Sequence, residues 1–213
     1  MKLYKYNSYK QYYDLQVEAN KRKIDRVSAR MEIIIAVSDY IKKNIPCAKF
    51  GICHGVRNGW EVNEFRKNLN FNIIGTDISP TANQFKNVIQ WDFHDIKDEW
   101  INNVDFIYSN SFDHSHNPYH CLNQWVKCLS KGGKCFLEWN IMCEVSKRSL
   151  SHMNVDCFGA TLNEYRDLII KNHIVENEIN LTLKTDWIEE RRKIDNRTIF
   201  VIVPTKSDGR EIC

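Results

Sequence analysis

The chemistry of this chain has to come from a glycine-flanked loop, two aspartates and a segment rich in histidine and serine. Gly55 and Gly59 bracket the run Cys53-His54-Gly55-Val56-Arg57-Asn58-Gly59, directly after the apolar stretch 48–53. Glycines so placed let a backbone approach a ligand closely and then enter a helix, although the three-glycine dinucleotide fingerprint is absent. Asp77 closes the run NIIGTD (72–77). A carboxylate at such a strand end can accept both hydroxyls of a ribose, or simply cap the turn before Pro80. Asp92 stands between Trp91 and Phe93. It is an acceptor for an exocyclic amine beside aromatic faces on which a purine can stack, or an N-cap for the next segment. Further on, Ser109-Asn110-Ser111-Phe112-Asp113-His114-Ser115-His116-Asn117 is dense in polar groups. Histidine changes charge near neutral pH, so His114 is a candidate general base, with Asp113 to orient it or bind substrate. The competing reading is a loop histidine that bonds backbone and shapes a pocket. His114, His116 and His120 with Asp113 match no standard zinc spacing, and no metal is expected.

Strands alternating with helices must position these groups. Residues 8–44 carry helical periodicity, broken near Asp25, with Ile33, Ile34, Val37 and Ile41 on one face. Strands are expected at 48–53, 72–77, 87–91, 104–109 and 135–139. Helices are expected at 59–69, 118–129 and 161–172, and Gly132-Gly133 should turn the chain into the fifth strand. That alternation indicates a doubly wound α/β fold with a parallel sheet covered on both faces. The runs 173–183 and 196–203 lack a long helix between them and read as an antiparallel pair, making seven strands. In such sheets ligands bind beyond the carboxyl ends of the strands, where the glycine loop, the two aspartates and the histidine-rich segment lie.

With these motifs in order, the chain resembles the class I S-adenosylmethionine-dependent methyltransferases, in their small-molecule branch. CHGVRNG is similar to the family's first motif, Asp77 in GTDIS to its acid after strand two, and Asp92 in QWDFHD to its adenine-side aspartate. VDFIYSNSFDHSHNP resembles the fourth motif, and CLSKGGKCFLEW the glycine turn into strand five. The resemblance implies a Rossmann-like seven-stranded sheet with an antiparallel last strand beside strand five, and S-adenosylmethionine as cofactor. It implies cofactor contacts at Cys53, His54, Gly55, Arg57, Gly59, Asp77, Ile78, Asp92, Phe93, Ser109 and Asn110. The chain departs from the family at Cys53, where a carboxylate commonly helps hold the methionine ammonium. His54 and Arg57 are also unusual beside a sulfonium. Residues 46–204 are then the methyltransferase domain, 1–45 an N-terminal helical extension and candidate lid, and 205–213 a polar tail.

Composition narrows the function classes. The 213 residues carry a formal charge of +3, with 43% hydrophobic and 27% charged residues, a globular composition with too little charge to indicate nucleic acid. No apolar run suits a membrane span or a signal peptide, so a cytoplasmic protein is expected. Its eight cysteines are then thiols; they form no C-x-x-C pair, and Cys121 and Cys128 are expected in the core. Ser109-Asn110-Ser111-Phe112 lacks the prolines of the base amino-methyltransferase tetrad, which argues against DNA adenine methylation. The basic stretches at Lys21-Arg22-Lys23 and Arg191-Arg192-Lys193 read as solvated faces. Tyr4, Tyr6, Tyr9, Tyr12 and Tyr13 either pack onto the sheet or cover the substrate. The expected activity is methyl transfer to a small polar acceptor, a hydroxyl of a sugar or other metabolite. The rival readings are a catalytically inactive cofactor-fold partner, an RNA methyltransferase using the basic N-terminal helix, and a nicotinamide oxidoreductase.

Overall fold

The computed structural model describes residues 1–144, 155–184 and 194–205. The basic stretch 191–193 and the tail from 206 onward lie outside the described residues. Chain order is β1 (Lys2–Leu3), α1 (Tyr9–Arg22), α2 (Met31–Asn44), β2 (Phe50–His54), α3 (Trp60–Leu69), β3 (Asn72–Asp77), β4 (Val88–Gln90) and β5 (Val104–Ser109). Then come α4 (Pro118–Cys128), β6 (Leu129–Asn140), β7 (Phe158–Gly159), α5 (Leu162–Ile170), β8 (His173–Lys184) and β9 (Ile194–Pro204).

Local chemistry sets these boundaries. Ser8 caps α1 by accepting from the Gln11 N–H, and Asn117 caps α4, where Pro118 takes the first turn. Thr161 and Glu164 form a capping box on α5. The break expected near Asp25 is the non-helical link between α1 and α2.

The main sheet runs β4-β3-β2-β5-β6-β9-β8. β2, β3, β4, β5 and β6 pair in parallel, and β9 lies antiparallel between β6 and β8. This is the seven-stranded class I methyltransferase fold expected from the sequence. Two details differ from expectation. β6 begins at Leu129 rather than after the glycine pair, because the β5–β6 register jumps from Val104↔Leu129 to Phe106↔Lys134 and the extra residues bulge out around Gly132. The two-residue strands β1 and β7 also pair, antiparallel, in a separate small sheet. They are too short to leave a periodic signal in sequence.

Each face of the sheet carries its own core. On one side Trp125, Phe112, Tyr165, Phe158 and Phe200 pack with α4 and α5. On the other, Ile33, Ile34, Val37 and Ile41 of α2 meet Phe65 of α3 and Phe106 and Phe136 of the sheet. Cys121 and Cys128 are buried, as their spacing predicts, and Cys47 is exposed. No helix among the described residues is long and apolar enough to cross a membrane.

The site depends on register. His54 sits opposite Thr76 in the β2–β3 ladder, so the glycine loop and Asp77 leave the sheet side by side. The N–H groups of Gly55 and Val56 both donate to the Thr76 carbonyl, at 2.8 and 3.1 Å.

Gly51 tests how tightly β2 is held. A methyl there would fall 2.1 Å from Cε1 of Phe106, whose ring is itself wedged against Phe65, Phe71 and Phe136. Gly51→Ala should cost about 1–3 kcal/mol in urea unfolding, the usual range for overpacking.

Candidate functional site

Beyond the carboxyl ends of β2, β3 and β5, a groove is lined by Gly55, Arg57, Asp77, Ile78, Phe93 and His114 on the sheet side. Helix α1 roofs it with Tyr12, Gln16, Asn20 and Lys23. Gly55, Arg57, Asp77, Ile78 and Phe93, all expected at the cofactor, thus share one cavity with the candidate base His114. The other expected residues support it from outside its lining. Cys53 is fully buried in the core. His54 stacks on Trp125, with ring centroids 4.7 Å apart, and its Nδ1 pairs with Thr76 Oγ1 at 2.8 Å. Burial pushes that imidazole down to about 3, so it stays neutral. Gly59 starts α3 in the left-handed region, with φ 72°. Ser109 donates to the His54 carbonyl and receives the Ser111 N–H. Asn110 accepts from the Ser111 hydroxyl.

Gly55 has a second reason to be glycine besides its φ of +74°: a Cβ there would sit 2.6 Å from Cβ of Ser111. Arg57 also adopts a left-handed conformation, φ 49°. Its guanidinium turns from the sheet to the link after α1, donating to the Arg26 carbonyl at 3.0 Å.

Asp77 is 6% exposed. Its Oδ2 accepts the Arg57 N–H at 2.8 Å, and its Oδ1 accepts the Ser79 N–H at 2.9 Å and the Asn20 amide at 2.8 Å. Burial raises its carboxyl above the ordinary value, and the two backbone donors and the Arg57 charge oppose that rise. At Asp92, Oδ1 accepts from both the backbone N–H and Nδ1 of His94, and Oδ2 accepts the Tyr9 hydroxyl at 2.8 Å. Burial works to raise this carboxyl, but His94 and Tyr9 outweigh it and the net direction is down. Phe93 is buried, and its carbonyl receives the Trp125 indole N–H at 2.7 Å.

The orientation of His114 follows from a chain of donors. The Val155 carbonyl only accepts, so the Gln16 amide nitrogen, 2.6 Å away, must face it. Gln16 Oε1 then meets His114 Nδ1 at 2.9 Å, and Nδ1 must be the protonated nitrogen. The lone pair of the neutral ring therefore lies on Nε2, which faces Asp156 Oδ1 at 3.5 Å and Asp113 Oδ1 at 4.0 Å. One donor atom from each of Asp113, His114 and Asp156 lies within 4.8 Å of the others, close enough to share a proton or surround a cation.

Several groups at the site are not among those the sequence singles out. Asp156 carries no local signal. Gln16 and Asn20 share the buried face of α1, where a polar residue inside a helical stripe is a visible oddity. Glu61, in the first turn of α3, is only 5% exposed. It interacts electrostatically with Cys53, which brings a carboxyl group near the position where the family's acid is missing. Burial raises Glu61 to about 8, against the pull of its own backbone N–H and of Arg57. The tyrosines of the N-terminal segment pack edge to face, Tyr4 on Tyr6 and Tyr6 on Tyr12, and Tyr12 on His116 at 4.6 Å. With Tyr9 they border an open cleft of about 360 Å³ beside the groove.

Comparison with known proteins bears on the domain and the fold. Residues 52–137 match a family described as a methyltransferase domain. No curated protein matches the chain in sequence. Among solved structures, it resembles the Burkholderia thailandensis 1,6-didemethyltoxoflavin-N1-methyltransferase with bound 1,6-didemethyltoxoflavin and S-adenosylhomocysteine. That match has a TM-score of 0.68 at 9% identity, covering 95% of this chain and 93% of that one. A putative methyltransferase complexed with the Haloferax volcanii Trm112 methyltransferase activator matches at TM-score 0.62 and 16% identity, covering 93% and 98%. The plantazolicin methyltransferase BpumL, with a triazolic desmethylPZN analog and S-adenosylhomocysteine, matches at 0.61 and 16%, covering 92% and 98%. At these identities the likeness is one of fold.

Glu61 makes stability depend on pH. The unfolded chain loses this proton near the ordinary value of 4.5, and the folded chain keeps it until about 8. Folding therefore retains a proton between those values, and the contribution of Glu61 is full below the lower one and falls as pH rises through the window. Urea unfolding should show a declining component of at most about 1.4 kcal/mol per pH unit. Glu61→Gln should remove that component and unfold later than the wild type at pH above the window.

Proposed function

We propose that this chain, whose residues 52–137 match a methyltransferase domain and whose sheet has the class I order, transfers a methyl group from S-adenosylmethionine to a hydroxyl of a small polar metabolite, such as a sugar. The observation that supports this reading is that Asp77 and His114 line one groove at the carboxyl edge of the sheet, with Asp92 next in the chain to its lining residue Phe93. The donor set fits the cofactor. Asp77 is a buried acceptor at the β3 end, suited to ribose hydroxyls, and Asp92 beside Phe93 is suited to the adenine amine. Gly55 lines the groove, where its left-handed backbone and its close packing against Ser111 both require glycine. Two of the solved structures of like fold are named as methyltransferases, of 1,6-didemethyltoxoflavin and of plantazolicin, with S-adenosylhomocysteine bound.

When bound, the cofactor supplies an electrophilic methyl on a sulfonium, so the hard chemistry is its own. The chain contributes position and proton handling. Asp77 and Asp92 are the residues that would hold the nucleoside end of the cofactor. His114, with Nδ1 committed to Gln16, offers the Nε2 lone pair to an acceptor hydroxyl and takes its proton as the oxygen attacks. Asp113 and Asp156 then flank the imidazolium that forms, lowering its cost. A carboxylate pair at that end favours neutral hydroxylated acceptors over anionic ones, since like charges would have to be buried together.

Calorimetric titration with S-adenosylhomocysteine tests the foundation, and no binding at millimolar ligand would end the reading. For any hydroxyl acceptor that the wild type methylates, His114→Gln should lower turnover about 10²–10⁴-fold, the usual worth of general base catalysis. Affinity for S-adenosylhomocysteine should change only a few-fold.

A further inference from the structure

One face of α1 holds the groups that the cofactor itself would need. Tyr9 donates to Asp92, the adenine-side acceptor, at 2.8 Å. Asn20 donates to Asp77, the ribose-side acceptor, at 2.8 Å. Between them, Tyr12 donates to the His114 carbonyl at 3.2 Å and Gln16 accepts from its ring at 2.9 Å. Positions 9, 12, 16 and 20 recur at helical spacing, and Tyr9 and Asn20 are about 16 Å apart along the axis at the helical rise per residue. The Asn20 amide is fixed at both ends, since its oxygen accepts from Thr81 Oγ1 at 2.9 Å. Beneath the helix the groove retains a volume of about 50 Å³, room for a few waters, where small-molecule pockets run to about 300–1,000 Å³.

We propose that α1 is a built-in competitor of the cofactor: seated, it satisfies the nucleoside-binding carboxylates and fills the groove, and S-adenosylmethionine binds only to the form in which α1 has lifted. This rests on the proposed role of the groove as the methyl-donor site. The hinge is the non-helical link between α1 and α2. It is tied to the glycine loop, with Arg57 donating to the Arg26 carbonyl at 3.0 Å and Asn58 to the Ile24 carbonyl at 2.9 Å. The C-terminal end of the helix therefore stays tethered beside the loop, and lifting its N-terminal end also parts β1 from β7 and the Tyr4 N–H from the Cys157 carbonyl. Apparent affinity is then the intrinsic affinity reduced by the fraction of molecules that are open.

Weakening the seat should accordingly tighten cofactor binding, the opposite of what a wall that contacts the cofactor would do. The test is calorimetry with S-adenosylhomocysteine on the wild type, Tyr9→Phe, and Tyr9→Phe/Asn20→Ala, with hydrogen exchange measured on the same proteins. The double variant should bind about 10-fold or more tightly than the wild type, and the single variant should lie between them. Exchange in 9–22 should quicken in both variants while β2, β3 and β5 stay protected, and ligand should quicken it in the wild type. Equal or weaker binding by the variants overturns the proposal, as does exchange in α1 that neither substitution nor ligand alters. The single variant removes one oxygen atom and keeps the test available if the double one fails to fold. Absence of binding by every form removes the methyl-donor reading and the proposal with it, whereas binding by the wild type without tightening in the variants removes the proposal alone.

Discussion

A carboxylate cannot be taken out of water unless donors replace the water, and Asp77 is the place where this constraint organises the molecule. Its two oxygens collect the N–H of Arg57, the N–H of Ser79 and the amide of Asn20. The glycine loop, the turn after β3 and helix α1 therefore converge on one side chain. Remove any of the three donors and a nearly dry charge is left short of partners, a loss of more than an ordinary hydrogen bond. The left-handed backbone at Arg57 is part of the same arrangement, since it aims that N–H at the carboxylate.

The sheet makes the convergence possible. Five parallel strands place the loops that extend from β2, β3 and β5 at one edge, and the β2–β3 register sets the glycine loop beside Asp77 to within a residue. The apolar layers on both faces hold that edge rigid, with Trp125 reaching from α4 to the Phe93 carbonyl and stacking on His54. His54 is thus a packing residue with a neutral ring, although it ends β2 directly before the glycine that lines the groove. Glu61 responds to burial in the opposite sense. It is a carboxyl on the core side of α3, near Cys53, and its burial is accommodated by a raised proton affinity.

The acid–base end of the groove is assembled from distant parts. His114 lies after β5, Asp156 just before β7, and Gln16 on α1, yet a single chain of donors and acceptors from Val155 to Gln16 settles which ring nitrogen carries the proton. The tyrosines of the N-terminal segment extend this roof. Tyr12 is almost wholly buried under His94 and His116, and Tyr9 bonds outward to Asp92. By sequence this segment suits either sheet packing or a cover over the site; in the fold it packs on the loops at the sheet's edge.

By itself the sequence determined the strands and helices, their alternation, the antiparallel final pair and the loops that had to carry function. Each of these is written in local terms: period-two or period-3.6 apolar residues, glycines and prolines at boundaries, and an acid at a strand end. The strands NIIGTD and VDFIYS end where their patterns end. What only the tertiary structure decided is which side chains from remote segments share a dry space. Asn20, Gln16 and Tyr9 meet Asp77, His114 and Asp92, Glu61 comes near Cys53, and β1 finds β7. Such pairings come from packing the whole chain, because a buried polar group takes whichever partner the fold brings within reach, and separation along the chain carries no trace of it.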